Sequence, residues 1–214
     1  MKMKVAAFNA KKLGLRKVKN PTVSHYLIKI ISQYSVVVIL EVLDKKGQAM
    51  KLLLDKLNSP RGHKYKMICS SGLGRKTYKE KFVCFYREAE VKLTDQHQYE
   101  DNQLGDEDAF AREPFVLRFH CPTTVVGDLV LIPVHTQPND SWKELDELYD
   151  VVTAVTRMWK TKNIMILGDF NAAGSYLSKK KKKKIRISSP PFYWLIDDNV
   201  DTTTSNFNKN TYDR

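Results

Sequence analysis

The sequence predicts an α/β fold in which mixed sheets and helices form layers. Two apolar runs, residues 36–40 and 164–167, are short and rich in β-branched or long aliphatic side chains, which is typical of strands buried on both faces. Residues 23–34 and 142–159 repeat apolar side chains at helical spacing. Strand and helix patterns also alternate along the chain, which favours layered α/β architecture over separate all-α and all-β parts.

The remaining elements follow from the same patterns in chain order. Apolar runs predict strands at residues 5–8, 36–40, 65–69, 82–86, 115–119, 129–134 and 164–167, with 192–196 as a last candidate. Helical periodicity predicts helices at 23–34, 49–57 and 142–159, and Ser141-x-x-Glu144 predicts a capping box for the third helix. Residues 95–108 are polar and acidic, so we expect a long surface excursion there.

The chain has 214 residues and no linker rich in Gly, Ser or Pro, so we predict that residues 1–214 form a single domain. Its three cysteines lack both metal-ligand spacing and the even number of a disulfide framework. The N-terminal residues contain no long apolar segment, and no run approaches the length of a membrane span. We therefore expect neither an export signal nor a membrane partner.

Positive charge is in excess. The chain carries 36 Lys and Arg against 24 Asp and Glu, a formal net charge of +12 that favours a polyanionic partner; an ordinary solvated surface is the alternative. Residues 179–184 are six consecutive lysines, for which we predict a mobile loop. That loop could be a solvated insertion, a phosphate-binding patch or a nuclear address.

Polar side chains follow the apolar runs at the points where the predicted strands end. Asp169 and Asn171 come directly after residues 164–167, although Gly-Asp-x-Asn could also be a simple turn. The full set of such residues is Asn9, Glu41, Glu80, His135, Asp169, Asn171 and Asp213. If the strands lie side by side, these groups meet in one cleft. Carboxylates for a divalent cation, a histidine for proton transfer and amides for phosphoryl oxygens together predict phosphodiester hydrolysis.

Several motifs in this chain are typical of one protein family. They are Ala7-Phe8-Asn9, Leu40-Glu41-Val42, Leu73 to Glu80, Ala111-Arg112-Glu113-Pro114, Pro133-Val134-His135, Gly168-Asp169-Phe170-Asn171-Ala172 and Thr211-Tyr212-Asp213-Arg214. Through them the chain resembles the deoxyribonuclease I family of the endonuclease/exonuclease/phosphatase superfamily over residues 5–214. The resemblance implies a four-layer α/β/β/α sandwich of two packed mixed β-sheets flanked by helices, here lacking the family's final strands.

The resemblance also implies roles for individual residues. Histidine 135, oriented by Glu80, would transfer protons at the scissile phosphate, and Glu41 supported by Asn9 would hold a catalytic Mg²⁺. The phosphate and metal pocket would be completed by Asp169, Asn171 and Asp213. Contacts to DNA would come from Arg75, Tyr78, Arg112 and Asn171. Structural Ca²⁺ would bind at two loops, one with Asp101 and Asp108 and one with Asp201 and Thr203.

The chain departs from the family pattern at three places. Leu43 stands where the family usually carries a DNA-contacting arginine or a polar residue, and Leu40 where a glutamine is common. Gly174 and Asn210 occupy the positions of a disulfide, which together with the missing export signal predicts an intracellular location in the cytoplasm or nucleus. The family continues beyond Arg214 with two further strands and a Ser-Asp-His motif that supplies a second catalytic histidine. The absence of this motif here predicts reduced activity of the 214-residue chain.

We therefore predict a monomeric, divalent-metal-dependent endonuclease that hydrolyses double-stranded DNA with little sequence specificity and needs no obligate protein partner. The alternative is a catalytically impaired relative that binds DNA without cutting it. A superfamily phosphatase acting on small phosphoesters is a third and more distant interpretation, because the sequence contexts of Arg112 and Tyr78 resemble those of nucleases.

Overall fold

Two four-stranded sheets pack face to face between layers of helices in the computed structural model, which describes residues 3–59, 63–101 and 108–214. The strands are β1 (Val5–Leu13), β2 (Val36–Val42), β3 (Tyr65–Cys69), β4 (Lys81–Arg87), β5 (Lys92–Gln98), β6 (Phe115–Cys121), β7 (Gly127–His135) and β8 (Ile164–Asp169). The helices are α1 (Leu15–Lys19), α2 (Pro21–Ile31), α3 (Gln48–Leu57), α4 (Ser141–Trp159) and α5 (Lys179–Lys182). The predicted four-layer sandwich of mixed sheets is confirmed.

Strand pairing brings four strand ends to one side of the sandwich. The first sheet has the order β1-β2-β4-β3 and the second β5-β6-β7-β8. Strands β1 and β2 are parallel, as are β7 and β8, while the other pairs are antiparallel. The start of β4 therefore lies beside the end of β2, with Val42 opposite Lys81. Polar residues at these ends are placed within reach of one another.

Three apolar layers hold the sandwich together. Between the sheets lie Val38, Phe82 and Phe119; α1 to α3 cover the first sheet through residues such as Leu53, and α4 covers the second through residues such as Leu148. All five side chains are at least 98% buried. Burying one such side chain stabilises the fold by about 1.5 to 3 kcal/mol. Of the described helices, none is long and apolar enough to cross a membrane.

Two strand predictions are wrong. Residues 95–98 were expected in a surface excursion but belong to β5, because backbone pairing with β6 outweighs their polar composition. Residues 102–107 of that excursion lie outside the described part. Residues 192–196 form no strand; there Trp194 packs edge-on against Phe170, and its indole N–H donates to the Ile187 carbonyl at 2.9 Å.

Two predictions about helices are also wrong. The Ser141-x-x-Glu144 capping box does not form, because a 3₁₀ turn at Pro138–Asp140 leads directly into α4 and Ser141 already has helical dihedral angles. Instead, the Ser141 hydroxyl donates to the Tyr176 carbonyl at 3.4 Å, and Glu144 accepts a hydrogen bond from the Gln137 amide at 2.9 Å. The lysine run is not a loop throughout, since α5 forms within it.

At Gly168 the backbone leaves no room for a side chain. Its φ angle is +139°, and a Cβ atom there would lie 2.0 Å from the Val134 carbonyl oxygen. We expect Gly168→Ala to lower the free energy of unfolding by roughly 3 kcal/mol or more. Gly47→Ala is the control, because Gly47 also has positive φ, at +73°, but open space around it. Gly47→Ala should lower the free energy of unfolding by only about 1 kcal/mol. Urea titrations that give the same loss of unfolding free energy for both variants would contradict the steric argument.

Candidate active site

The polar strand ends meet in one cleft between the two sheets. His135 ends β7 and lies opposite Asp169, the last residue of β8. Asn9 lies within β1, and Glu41 lies near the end of β2. Functional groups commonly gather at the carboxyl ends of parallel strands, and in this chain both sheets supply such ends.

The side-chain amide of Asn9 joins the two sheets. Its Nδ2 donates to Glu41 Oε1 at 3.0 Å and to Asp169 Oδ2 at 3.1 Å. Two backbone amides near the end of β1 fix the orientation of Asn9 and Glu41. The Lys11 amide donates to Asn9 Oδ1 at 2.9 Å, and the Lys12 amide donates to Glu41 Oε2 at 3.1 Å. Two carboxylates are thereby held on either side of one neutral donor.

His135 and Glu80 form a buried pair. The Nδ1 of His135 lies 2.5 Å from Glu80 Oε1, and both side chains are almost fully buried. The other ring nitrogen, Nε2, lies 3.9 Å from Glu41 Oε1. This arrangement directs Nε2 toward the carboxylates at the centre of the cleft.

Arg112 shares the same carboxylate. Its Nε lies 2.8 Å from Glu80 Oε1, and its Nη1 donates to the His135 carbonyl at 3.2 Å. A buried carboxylate needs such partners to offset desolvation. The other oxygen of Glu80, Oε2, is buried and has no hydrogen-bond partner in the described part of the chain.

The last residues of the chain pair with β8 and add a further acid. Gly168 and Arg214 exchange two backbone hydrogen bonds of 2.9 Å, and an isolated bridge sets Asp213 opposite Asp169. Burial and, to a smaller extent, the Asp169 carboxylate together raise the pKa of Asp213 to about 6, against a hydrogen bond from Thr202. Asp213 is therefore a carboxyl group that exchanges its proton close to neutral pH.

Asn171 is ordered by its neighbours. Its amide N–H donates to Asp169 Oδ1 at 3.2 Å, and its side-chain Nδ2 donates to the Thr136 carbonyl at 3.1 Å. Asn171 has φ of +47°, and Glu41 has φ of +54°. Non-glycine residues at positive φ are uncommon and gather at functional sites.

The predicted DNA contacts differ in their surroundings. Tyr78 lies partly exposed on the rim, where burial raises the pKa of its phenol and Glu80 and Glu41 raise it further. Arg112 faces Glu80 as described above. Arg75 lies apart from the cleft group: its Nε pairs with Asp108 Oδ2 at 3.0 Å, and its Nη2 donates to the Ala109 carbonyl at 3.1 Å.

The residues predicted to bind Ca²⁺ lie in two separate loops, and the second loop contacts the cleft group through Thr202, whose side-chain oxygen accepts a hydrogen bond from the Asp213 amide at 3.0 Å. In one loop, the Phe110 amide donates to Asp101 Oδ2 at 3.0 Å, while Asp101 Oδ1 is buried without a hydrogen-bond partner among the described residues. In the other, Asp201 Oδ1 accepts hydrogen bonds from the Thr203 amide at 3.0 Å, the Thr203 hydroxyl at 2.8 Å and the Asn210 amide at 3.3 Å.

The donor chemistry of the cleft suits a hard divalent cation. The described residues contain no group of three or more His, Cys, Asp and Glu side chains arranged to hold a metal ion. Mg²⁺, however, is usually held by one or two carboxylates and keeps several waters. The carboxylates of Glu41 and Asp169, both bonded to the Asn9 amide, match that requirement.

The structure adds a basic pocket that the sequence patterns did not predict. This cavity of about 380 Å³ is lined by Lys11, Lys12, Gly14, Arg16 and Lys17. It adjoins the cleft, because the backbone amides of two of these residues bond to Asn9 and Glu41. The sequence signal was the run of basic residues after Asn9, which only the turn at the end of β1 converts into a pocket.

The positions predicted to have lost a disulfide face each other. A Cβ atom built on Gly174 would lie 2.9 Å from the Asn210 side-chain oxygen. The chain's cysteines, Cys69, Cys84 and Cys121, are all free thiols.

Comparison with protein families gives one match across almost the whole chain. The profile of the Endonuclease/Exonuclease/phosphatase family matches residues 6–214. Mouse deoxyribonuclease gamma is 41% identical over 215 residues, covering 99% of this chain and 69% of that protein. Rabbit deoxyribonuclease-1 is 39% identical over 214 residues, covering 99% of this chain and 76% of that protein.

Solved structures with low sequence identity share the fold. A mannosyl-6-phosphatase from Bacteroides thetaiotaomicron superimposes with a TM-score of 0.56 at 15% identity, covering 82% of this chain and 68% of that one. A humanized zebrafish TDP2 gives a TM-score of 0.56 at 13% identity, covering 86% of this chain and 66% of that one.

Glu144, at the start of α4, makes stability depend on pH. Burial raises the pKa of this carboxyl to about 7, against hydrogen bonds from the Gln137 and Ala111 backbone. The unfolded carboxyl, with an ordinary pKa of 4.5, loses its proton first as pH rises. The free energy of unfolding should therefore fall by about 3 kcal/mol between pH 4.5 and pH 7.

Glu144→Gln should remove this loss, which urea titrations at pH 5 and pH 8 would measure. Glu88→Gln is the control, because Glu88 is an exposed carboxylate paired with Lys66. A difference between wild type and Glu144→Gln that stays constant with pH would refute the assignment.

Proposed function

Because the chain belongs to the endonuclease/exonuclease/phosphatase family and, within it, to the deoxyribonuclease I family, we propose that it is a divalent-metal-dependent endonuclease that hydrolyses DNA. The observation that carries the proposal is the buried His135–Glu80 pair, whose free ring nitrogen faces the Glu41 carboxylate. A group that can transfer a proton, His135, therefore lies next to a carboxylate that can bind a metal ion, Glu41. The deoxyribonuclease names of the similar proteins support DNA as the substrate.

His135 acts as the general base in this mechanism. Glu80 accepts the Nδ1 proton of the imidazole, which fixes the tautomer and leaves the Nε2 lone pair toward the cleft. Nε2 then accepts a proton from the water that attacks phosphorus. Glu80 stabilises the imidazolium that forms, and Arg112 keeps Glu80 in place.

Asp213 serves the other side of the reaction. When the bond between phosphorus and the leaving sugar oxygen breaks, that oxygen needs a proton. With a pKa of about 6, Asp213 still carries a proton in a fraction of molecules near neutral pH. It therefore supplies the proton that the leaving oxygen requires, although less efficiently than a group with a higher pKa.

Glu41 and Asp169 would hold Mg²⁺, with Asn9 setting the spacing of the two carboxylates. When bound, Mg²⁺ polarises a phosphoryl oxygen and stabilises the negative charge that develops on it. The two carboxylates repel each other, and a single neutral amide offsets little of that repulsion. A bound cation would relieve that repulsion, which favours metal binding at these two residues.

The surroundings of the cleft favour contacts with the DNA backbone. The basic pocket offers the exposed cations of Lys11, Lys12 and Arg16 to phosphates, and Tyr78 offers a partly exposed aromatic ring at the rim. Phosphate and sugar contacts carry no direct sequence information. We therefore propose cleavage with little sequence specificity.

Ca²⁺ has a second, structural role in this proposal, at Asp101 and Asp108. The support is the buried Asp101 Oδ1, an acceptor without a hydrogen-bond partner among the described residues. Asp201 is less suited, because three donors already occupy its Oδ1.

His135→Ala should lower the rate of plasmid nicking by about 10²- to 10⁴-fold, because no other group would remove the proton from water. Glu80→Gln should lower it less, since the imidazole remains. His120→Ala is the matched control: His120 is exposed and pairs with Asp128 at the other end of β7.

Nicking is measured with Mg²⁺ and Ca²⁺ present. Undiminished nicking by His135→Ala would rule out this mechanism, and DNA binding without nicking in the wild type would favour a non-cleaving protein.

Removing divalent cations should abolish nicking, and added Mg²⁺ should restore it. Glu41→Gln should raise the Mg²⁺ concentration needed for half-maximal activity by about tenfold or more, because one of two ligand charges is lost. Ca²⁺ alone should raise the melting temperature of wild type and leave that of Asp101→Asn unchanged. The Mg²⁺ assignment fails if Glu41→Gln responds to Mg²⁺ as wild type does, and the Ca²⁺ assignment fails if both proteins shift equally.

A further inference from the structure

One helical turn of the lysine run presents four lysines on one side. We name Lys179, Lys180, Lys183 and Lys184 the lysine face. We propose that the lysine face binds backbone phosphates of the same DNA that occupies the cleft, at a part of the duplex that extends outside the cleft. This inference rests on the proposed function. It concerns a surface that the catalytic group does not include.

The helical turn is fixed at both ends. At its start, the Ser178 hydroxyl accepts a hydrogen bond from the Lys181 amide at 3.3 Å. At its end, the Lys184 amide donates to the Lys181 carbonyl at 3.0 Å, and Ile185 and Ile187 are buried under α4. Six consecutive lysines thus have a defined position on the molecule.

Two lysines and the following arginine anchor the segment. The ammonium of Lys182 lies 4.0 Å from the ring centre of Trp194 and 2.5 Å from Asp198 Oδ1. That of Lys181 lies 5.9 Å from the ring centre of Trp142. Arg186 pairs with α4 carboxylates, at 2.9 Å from Asp146 and 2.7 Å from Asp150. These contacts hold the segment against α4 and against Trp194 and Asp198.

The lysine face points the other way. Lys179 and Lys180 begin α5, and Lys183 and Lys184 follow its end, where the Lys183 amide still donates to the Lys179 carbonyl at 3.3 Å and so continues the i, i+4 spacing of one side of a helix. All four are exposed, and none takes part in an ion pair within the described residues. Like charges at i and i+4 repel each other, here Lys179 with Lys183 and Lys180 with Lys184. A polyanion relieves that repulsion and releases its own counterions.

The lysine face also lies close enough to the cleft to meet the same DNA. Seven residues lie between Asn171 and Lys179, so their Cα atoms are eight steps apart and at most about 28 Å from each other at full extension. The connection is folded back: the Tyr176 ring packs 5.5 Å from the Tyr212 ring, next to Asp213. A duplex covering roughly 28 Å carries on the order of 16 phosphate charges. DNA that is bound in the cleft is therefore long enough to reach the lysine face, and no separate protein partner is needed.

The test compares two variants with equal loss of charge. One replaces all four residues of the lysine face by Gln (Lys179→Gln, Lys180→Gln, Lys183→Gln, Lys184→Gln). The control replaces four exposed lysines at the opposite end of the molecule (Lys29→Gln, Lys92→Gln, Lys160→Gln, Lys162→Gln). Both carry His135→Ala to prevent cleavage, and circular dichroism verifies that both fold.

Binding to a 30-base-pair duplex is measured at several salt concentrations. Relative to the His135→Ala parent, the lysine-face variant should bind tenfold or more weakly. Its slope of log affinity against log salt should be less steep by about 2 to 3, since each phosphate contact contributes about 0.9. The control should differ from the parent by less than about twofold. On a 6-base-pair duplex that fills only the cleft, the lysine-face variant should bind like the control.

Equal slopes for the two variants on the long duplex would overturn the inference while leaving the proposed function intact. Equal DNA binding combined with loss of nuclear entry of the lysine-face variant would also overturn it, in favour of a transport receptor. If the wild type neither nicks nor binds DNA, the proposed function itself fails.

Discussion

The cleft depends on the amide of Asn9. Its two N–H groups bond to carboxylates that belong to different sheets, Glu41 on the first and Asp169 on the second. A charged donor in its place would neutralise one carboxylate, and an apolar residue would remove one hydrogen bond from each carboxylate. A neutral amide holds the two acids close together while both remain available to a cation. The spacing of the sheets and the electrostatics of the site are therefore set by the same contact.

Backbone strain at the cleft is maintained by the packing around it. The φ angle is positive at Glu41, Asn171 and Gly168. Glu41 and Asn171 carry side chains, so a positive φ is unfavourable for them. Such conformations cost of order 1 to 3 kcal/mol each and persist only where surrounding structure enforces them. Here β2 and β8 each pack with one face against the opposite sheet and with the other face against helices, and Arg214 pairs with Gly168 through two backbone hydrogen bonds. The buried layers thus stabilise a site geometry that the local sequence does not favour.

The sequence predicts the fold well where one signal dominates. Continuous apolar runs mark most strands, and residues at their ends mark the cleft, because parallel pairing places strand ends together. Prediction failed where tertiary contacts outweigh local preference. The polar strand β5 is held by pairing with β6, Trp194 is held by packing on Phe170, and α5 is anchored by contacts that lie far away in sequence. No local pattern encodes those contacts.

Arg112 shows why substrate binding and proton transfer are coupled in this cleft. Its guanidinium has five N–H groups, and the described contacts engage Glu80 and the His135 carbonyl, so donors remain for a phosphate. The same cation offsets the cost of burying the Glu80 carboxylate, which orients His135. Removing Arg112 would leave that buried carboxylate without a cationic partner, with the Nδ1–H of His135 as the hydrogen bond that remains to it. Any loss of DNA affinity would then come with a displaced base, so one substitution at Arg112 cannot separate the two roles.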